Sequence, residues 1–412
     1  MDNLVARQPI FDKDLNVFGY EIVSRSGLTN SYVSGDENHA SLSAIRNAFL
    51  LLGTKMVAGR KKIFLDLPRA LIVDGVALTL PSETTVINIV VGGEADDTVA
   101  SACSALKEAH FSLSLEEDSC LDVAACQNLL GCVDIIRKPF KSVMDTNDSA
   151  RMRRYRDSGK VVLAEGVETR EDFEVARMQG YDLFLGGFFS KPSVIRSREI
   201  PGNKLNCLQL LREVNRTELD FAELEKTIKQ DTSLCYTLLN YVNSAYFGLD
   251  ESIGSIRHAL VLLGEKEVRK WANLILFTFM GFDKPSELIV ASLIRARLCE
   301  TLGIEIGMED RASELFLMGM FSMFDALMGR PMAEILDAIH LSREVEKALL
   351  YGSDVYGRIF QAVVSYEIGN WGDFAQHAEA LGIEEAVAPD LYLQAVEWAE
   401  TVSSQRANLA AS

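Results

Sequence analysis

The stretch GKVVLAEGVETREDFEVARMQGYDLFLGG, residues 159–187, decides the fold of the first half of the chain. Its apolar, β-branched run VVLA predicts a strand, and the run DLFL near its end predicts another. Between them, Thr169 followed by Asp172 is typical of a helix capping box, and Gly180 is a natural helix end. A strand, a helix and a second strand in one short stretch indicate parallel strands joined by a helical crossover.

The same alternation recurs through the first 200 residues. Runs with strand character lie at 4–11, 17–25, 62–67, 85–91, 111–115, 133–137, 160–164 and 182–187, and helical spacing of apolar residues fills most of the intervals. Strands alternating with helices predict an α/β fold, here a modified (βα)8 barrel of the TIM type. Only DKDLN joins the first two runs, so the first strand is expected to be antiparallel to the second.

The pattern changes near Pro201-Gly202. Beyond this point no strand pattern is recognised, and apolar residues recur at helical spacing to the end of the chain. We therefore expect a barrel over residues 1–198, a linker over 199–206 and an all-α domain over 207–412.

Composition limits the classes of partner. The chain carries 59 acidic and 41 basic residues, a net charge of -18. Such a surface repels phosphate backbones, so nucleic acid is not expected as a partner. The first residues lack the pattern of a signal peptide, and the longest apolar run, 271–282, is too short to span a bilayer. We expect no membrane association and a cytoplasmic location.

Acidic residues follow several of the predicted strands. In a (βα)8 barrel the C-terminal strand ends meet at one mouth, where chemistry is placed. Converging oxygen ligands hold hard cations such as Mg²⁺, and two such ions can support an in-line phosphodiester displacement. The acidic residues at these ends are Glu21, Asp66, Glu116, Glu117, Glu165 and Glu168. The alternative for each is a solvated loop residue, and Glu165 and Glu168 also fit a strand end followed by a helix cap.

Four segments in fixed order, ARQPIFD (6–12), GYEIVSR (19–25), VVLAEGVET (161–169) and FFSKP (188–192), resemble the EAL domain, the cyclic di-GMP phosphodiesterase family. The resemblance covers about residues 4–192. It implies that Glu21 matches a metal ligand, and that Gln8 and Arg25 match family positions, with Arg25 binding the nucleotide. It also implies that Glu165 matches a glutamate tied to catalysis, with Glu168 as the second glutamate of that motif.

Several positions depart from the family's pattern. They read Asp66 for asparagine, Asn88 for glutamate, Glu116 and Glu117 for two aspartates, Arg137 for lysine, Pro139 for aspartate and Leu185 for glutamine. Arginine is a planar fork instead of a compact ammonium, and proline offers no side-chain ligand. A two-metal site needs each ligand placed to within a fraction of an ångström. The joint departures predict that hydrolysis has been lost.

We therefore expect no catalytic residue and no metal cofactor in this barrel. Glu21, Glu165 and Glu168 are expected to be vestigial catalytic positions. The possible remnants of a metal site are Glu21, Asp66, Asn88, Glu116 and Glu117. Nucleotide binding without metal stays open, through Gln8, Glu21, Arg25 and Arg137.

The second half is similar to the HDOD domain, a relative of the HD-type metal phosphohydrolases. The matching segments are TLLNYVNSAYFG (237–248), SIRHALVLLG (255–264), LMGMFSMFDALMGRPM (317–332) and YEIGNW (366–371). HD hydrolases need an adjacent His-Asp pair and further histidines as metal ligands. The chain has five histidines, and none is followed by aspartate. The resemblance therefore implies a helical scaffold for protein interaction, without a metal site.

Together these observations predict a signal-transduction adaptor with an inactive EAL-like barrel and a helical output domain. The expected partner is a protein, with cyclic di-GMP as a possible ligand and a homodimer as a possible assembly. One alternative is a metal-free cyclic di-GMP receptor. The other is a residual phosphodiesterase that uses Mg²⁺ or Mn²⁺.

Overall fold

The structure is a computed structural model. It describes residues 3–26, 61–90, 96–117, 129–143, 146–191, 253–280, 284–339, 341–352 and 354–410, together with parts of 211–243. The chain divides into two compact units. The first, the barrel unit, contains residues 1–193 and 361–397, and the second, the helical unit, contains residues 194–360 and 398–412.

Eight strands close into a barrel, in chain order around the ring. They are β1 (Asn3–Phe11), β2 (Val17–Ser26), β3 (Lys62–Pro68), β4 (Thr85–Val90), β5 (Ser112–Glu116), β6 (Ile135–Pro139), β7 (Val161–Glu165) and β8 (Leu183–Leu185). Strand β1 is antiparallel to its neighbours β2 and β8, and the other pairs are parallel. The predicted barrel with an antiparallel first strand is therefore confirmed.

Helices flank the strands of the barrel. They are α1 (Arg69–Val73), α2 (Asp97–Glu108), α3 (Thr146–Asp157) and α4 (Arg170–Gln179). Helix α4 begins with the predicted capping box: the Thr169 hydroxyl accepts from the Asp172 amide N–H, and the Asp172 carboxylate accepts from the Thr169 amide N–H. It ends at Gly180, which has a φ of 95°. Helical spacing of apolar residues also predicts helices over 40–56 and 121–130, and these ranges lie wholly or largely outside the described residues.

The inside of the barrel is layered because side chains alternate between the two faces of each strand. An apolar layer fills the lower part, formed by Ile10, Phe64, Val86, Ile135, Leu163, Leu183 and Leu185. One step further along the parallel strands, the inward positions become polar, as in Phe64 to Asp66 and Ile135 to Arg137. The sequence thus places a polar layer at the C-terminal mouth, above a packed floor.

The remaining described helices follow residue 220. They are α5 (Phe221–Lys229), α6 (Ile256–Met280), α7 (Ser286–Glu305), α8 (Ala312–Phe321), α9 (Phe324–Met328), α10 (Met332–Leu336), α11 (Arg343–Tyr351), α12 (Val355–Glu367), α13 (Trp371–Leu381) and α14 (Ala388–Ala410). Helix α6 is interrupted at Gly264, whose backbone is not helical. The all-α character of the second half is confirmed. The exact domain boundaries stay a prediction, since residues 361–397 group with the barrel unit.

Helices α7 and α8 approach each other closely at Gly319. A Cβ at this position would lie 2.5 Å from the Arg295 carbonyl oxygen and 2.6 Å from the Ala296 Cα. Because these are backbone atoms, they cannot move aside as a flexible side chain would. The close approach explains why glycine stands in the middle of a helix, where it is otherwise unfavourable.

Gly319→Ala is expected to destabilise the helical unit by about 1–3 kcal/mol, because the added methyl forces α7 and α8 apart. Thermal unfolding measures the effect. Gly254→Ala is the control, since a Cβ at Gly254 would meet no atom within 4 Å. Equal melting temperatures for the two variants would contradict the expected clash.

Candidate functional site

The polar layer at the barrel mouth contains many of the residues that the sequence singles out. Strand register sets Gln8 opposite Glu21, Asp66 beside Asn88, Glu116 beside Arg137, and Pro139 beside Glu165. All the inward positions belong to the ends of different strands. The barrel therefore brings distant sequence positions into one site, as its topology predicts.

Arg137 lies at the centre of this layer. Its Nη2 is 2.5 Å from Glu21 Oε1, and its Nε donates to Glu165 Oε1 over 2.5 Å. Its Nη1 lies 3.8 Å from Asp66 Oδ1. Only 5% of the Arg137 side chain is exposed. One buried guanidinium is therefore the shared counter-ion of carboxylates from β2, β3 and β7.

A hydrogen-bonded chain extends from this centre across the neighbouring strands. The Asn88 amide donates to Asp66 Oδ1 over 2.7 Å, and the Ser114 hydroxyl donates to Asn88 Oδ1 over 3.1 Å. Asn88 is buried, whereas the Asp66 side chain is 56% exposed. Glu116 ends β5 in an exposed position. The mouth is thus closed around Arg137 and open to solvent on the side of Asp66.

The charge states of the central residues follow from this packing. Burial raises the pKa of Glu21 from about 4.5 to about 7. The Arg137 charge opposes that rise, whereas the nearby Asp66 and Glu165 charges add to it. Burial alone would lower the pKa of Arg137, but Glu21, Glu165 and Asp66 raise it above its ordinary value. Arg137 therefore stays charged at any pH at which the protein is folded.

In the structure, the first glutamate of the AEGVET motif lies at the mouth, and the end of the motif lies at the start of α4. Glu165 turns into the mouth and meets Arg137, and Gly166 follows with a φ of 73°. Glu168 accepts from Lys191 Nζ over 2.8 Å at the surface. Thr169 caps α4. Glu165 therefore faces the mouth and Glu168 lies at the surface beside the helix cap, and the roles expected for them stay predictions.

A second ionic cluster lies on the outer side of the strands, against α3. Lys138 Nζ donates to Glu117 Oε2, and it donates to Asp148 Oδ1 over 2.8 Å. Arg151 Nη2 lies 2.5 Å from Asp148 Oδ1, and the Tyr155 hydroxyl donates to Glu117 Oε1 over 3.1 Å. The Lys138 hydrogen bond is the main reason why the pKa of Asp148 is lowered to about 2. Glu117 thus pairs beneath the helices, away from the mouth carboxylates.

The sequence singles out Glu117 but misses its partners. A signal was available in the alternation of a strand: Arg137 and Lys138 are adjacent and must face opposite sides. Arg137 faces the mouth, so Lys138 faces α3. The side chain of Arg25, expected to bind the nucleotide, lies outside the described residues.

A pair of divalent ions, as the EAL resemblance implies, does not fit these residues. Such ions need carboxylate oxygens at roughly 2.0–2.6 Å, whereas oxygens of Glu21 and Glu165 are held by Arg137 N–H groups. Pro139 supplies no side-chain oxygen. Within the described parts of the chain, no group of three or more His, Cys, Asp or Glu side chains is placed to hold a metal ion.

The C-terminal part of the barrel unit also reaches the mouth. The Gln8 side-chain amide donates to the Ile368 carbonyl oxygen over 3.1 Å. Gln8 is two residues from Ile10 on β1, and Ile10 lies in the barrel interior. The Gln8 side chain is therefore on the inward face of the strand. Sequence patterns did not indicate this contact, because it joins residues 360 positions apart.

Comparison with known proteins places these features in a family. The chain is 30% identical to the uncharacterized protein YuxH of Bacillus subtilis (strain 168) over 400 residues, 96% of this chain and 97% of that protein. It is 31% identical to the cyclic di-GMP phosphodiesterase CdgJ of Vibrio cholerae serotype O1 over 403 residues, 97% of this chain and 93% of that protein. The HDOD domain family matches residues 201–336.

The chain belongs to the EAL–HDOD family. The predicted resemblances to the EAL and HDOD domains are therefore confirmed. A solved structure of an EAL domain protein from Listeria monocytogenes EGD-e is similar at 18% identity, over 46% of this chain and 88% of that one, with a TM-score of 0.37. The HDOD match falls in the part of this EAL–HDOD chain that forms the helical unit. No helix among the described residues is long and apolar enough to cross a membrane.

Proposed function

We propose that this EAL–HDOD protein is a signalling adaptor whose barrel does not hydrolyse cyclic di-GMP. The observation that carries the proposal is the buried Arg137 guanidinium between Glu21 and Glu165. It provides one fixed positive charge where a phosphodiesterase would need divalent ions to activate water and to neutralise the leaving oxygen. The absence of a side-chain ligand at Pro139 supports the same conclusion.

The guanidinium is a poor substitute for a metal ion in catalysis. It has no coordination sites at which water could bind and lose a proton, since each of its N–H groups is only a hydrogen-bond donor. Its pKa is raised by the surrounding carboxylates, so it cannot act as a base either. The arrangement therefore holds charges in place without supplying a nucleophile.

The helical unit supports the output half of the proposal. Its buried polar groups are engaged with each other: Lys270 Nζ lies 2.5 Å from Glu300 Oε1 and 4.4 Å from the centre of the Phe316 ring. Arg297 also pairs with Glu300 over 2.6 Å. These contacts stabilise a helical scaffold. We infer that its surface binds a partner protein, with a homodimer as the simplest assembly to test.

A second candidate function is a cyclic di-GMP receptor. Two observations favour it. The relative CdgJ is named as a cyclic di-GMP phosphodiesterase, and the buried Arg137 Nη1 has no hydrogen-bond acceptor among the described residues. Guanidinium N–H groups suit phosphate oxygens well. Binding through Arg137 and Gln8, without metal, is compatible with the adaptor role.

The proposal predicts that purified full-length protein forms no linear dinucleotide from cyclic di-GMP, with either Mg²⁺ or Mn²⁺ present. The measurement is chromatography of the nucleotide after prolonged incubation, with an active EAL phosphodiesterase as the positive control. Metal-dependent product from the wild type would overturn the proposal, provided that Glu165→Gln lowers it. Product that Glu165→Gln leaves unchanged would come from a contaminant.

A further inference from the structure

Residues 361–397 group with the barrel unit although they follow most of the helical unit in sequence, and we therefore call them the return segment. The segment comprises the end of α12, all of α13 and the start of α14. Its chain continues at both ends into residues of the helical unit. It is therefore the part of the C-terminal half that belongs structurally to the barrel unit.

The return segment covers an edge of the barrel. Strand β8 is short, and β1 pairs with it only at Ile10 and Phe11. The rest of β1 would leave N–H groups unpaired on that side, which proteins usually avoid. Here the Val5 N–H donates to the Tyr366 hydroxyl over 3.4 Å, and the Arg7 N–H donates to the Tyr392 hydroxyl over 3.3 Å.

A turn of the return segment lies at the mouth itself. The Ile368 carbonyl accepts from the Gln8 amide, one strand away from Glu21. The next residue, Gly369, has a φ of 72°, and a Cβ there would lie 2.9 Å from Val23 Cγ1. Val23 has the same parity in β2 as Glu21, which faces the mouth. Main chain at 368–369 therefore rests on inward-facing side chains of both β1 and β2.

The turn is held firmly from behind. The Tyr366 ring packs against the rings of Trp371, Phe374 and Tyr392, with centroids 5.1–5.2 Å away. The Asn370 side chain accepts from the Asp373 N–H and so caps α13. Leu393 packs on the outer core of the barrel. The position of the turn is thus fixed by aromatic packing and by a helix cap on its two sides.

We propose that the return segment is an internal cover of the barrel mouth, which competes with a ligand for Gln8. A large polar ligand such as a cyclic dinucleotide needs hydrogen-bond donors at the rim, and one of the two N–H donors of the Gln8 side-chain amide is already used by Ile368. A ligand that takes this donor must displace the turn at 368–370. This inference rests on the proposed function, since it takes the mouth as a ligand site that binds without turnover.

The cover has a consequence for signalling. The displaced turn connects directly to α12 and α13, and α12 begins in the helical unit. Release of Ile368 from Gln8 therefore acts on the C-terminal end of α12, a helix whose first residues belong to the helical unit. Occupancy of the barrel is thereby linked to the helical unit through the covalent continuity of the chain.

The test measures cyclic di-GMP binding to the full-length protein by calorimetry, without metal. Gly369→Ala adds a methyl against Val23 and should loosen the turn, so we expect the Kd to fall about tenfold, which corresponds to about 1.4 kcal/mol. Gly382→Ala is the matched control. Gly382 also has a positive φ, 71°, but a Cβ there meets no atom within 4 Å. The control should leave the Kd unchanged.

A second variant, Tyr366→Phe with Tyr392→Phe, keeps the aromatic packing and removes both hydroxyls from β1. We expect tighter nucleotide binding here also, with faster amide exchange over 361–397 by mass spectrometry. Equal Kd values for the wild type and both variants would overturn the inference, and so would an absence of binding by all of them. Turnover is read separately from the linear product, so a failed cover and a failed adaptor proposal give different results.

Discussion

Lys138→Met is expected to lower the free energy of unfolding by about 3–5 kcal/mol at pH 7, since it removes one partner of a buried ion pair. The Lys138 side chain is only 3% exposed, and both of its carboxylate partners, Glu117 and Asp148, are 2% exposed. Without the ammonium, two buried negative charges face each other, with Arg151 and the more distant Lys141, 3.7 Å from Asp148, as their remaining counter-ions. Scanning calorimetry of the full-length protein measures the loss as a lower melting temperature.

The effect of this substitution should depend on pH in a defined direction. The folded pKa of Asp148 is about 2, below its ordinary value of 3.8. A lowered carboxyl pKa stabilises the fold above the ordinary value, and this contribution is lost as pH falls through the folded pKa. Lys138→Met removes much of that contribution. The difference in melting temperature from the wild type should therefore narrow as pH falls from 5 towards 2.

Arg153→Met is the control for this prediction. Arg153 lies on the same helix, α3, but is exposed. Surface substitutions of this kind usually change stability by less than about 0.5 kcal/mol. Equal melting temperatures for Lys138→Met and this control would show that the ionic cluster contributes little to the stability of the barrel.

Much of the barrel could be predicted from the sequence, because its strands have the composition and period of strands. The run VVLA and the capping box at Thr169 each specify local structure with little help from distant residues. The polar mouth could be predicted as well, since barrel topology alone gathers Glu21, Asp66 and Glu165 at one end. The sequence pattern could not predict the ion-pair partner of each charged side chain. In the sequence, Arg137 is seen only as an arginine at a position where the EAL family has a lysine. The packed barrel shows that its guanidinium pairs with two carboxylates, those of Glu21 and Glu165.

The return segment illustrates a different limit. Its helices are visible as apolar periodicity, but periodicity does not say which surface a helix covers. Tyr366 and Tyr392 look like ordinary aromatic residues of a helical domain, and the sequence boundary at 207–412 includes them there. Their role appears only once β1 is seen to extend beyond β8, which leaves backbone groups that need a partner. Unpaired backbone groups of this kind determine which residues far apart in sequence come into contact.

Arg137→Gln is expected to have the second large effect, and it changes the chemistry of the mouth. Removing the guanidinium leaves Glu21, Asp66 and Glu165 without their shared counter-ion, which should cost about 3–5 kcal/mol of stability at pH 7. Around Arg137 these carboxylates are not placed to hold a metal ion, but without the guanidinium they can turn towards a shared divalent ion. We therefore expect the variant to bind Mn²⁺ by calorimetry and the wild type to bind none at this site.

Binding of Mn²⁺ should in turn restore part of the lost stability. A ligand that binds only the folded state at 100 times its Kd contributes about 2.7 kcal/mol. The melting temperature of Arg137→Gln should therefore rise with Mn²⁺ concentration, and that of the wild type should not. Arg153→Gln, an exposed change of the same kind, is the control for non-specific metal effects. A wild type that Mn²⁺ stabilises as strongly as the variant would contradict the assignment of Arg137 as the resident cation.

The pH dependence of the same variant tests the charge balance around Glu21. In the wild type, the folded pKa of Glu21 is about 7, above its ordinary value near 4.5. Glu21 thus binds more protons in the folded state than in the unfolded state between these values, and its contribution to stability falls as pH rises from about 4.5 to about 7. Arg137 opposes the rise in pKa, so its removal should move the fall in stability to higher pH.

Glu21→Gln should abolish this part of the slope, because the amide does not titrate. Unfolding free energies at pH 5, 7 and 8.5 distinguish the three proteins, and parallel curves for all of them would mean that Glu21 is not the titrating group. In the mouth, a buried arginine holds together carboxylates that would otherwise need protons or metal ions to stay close.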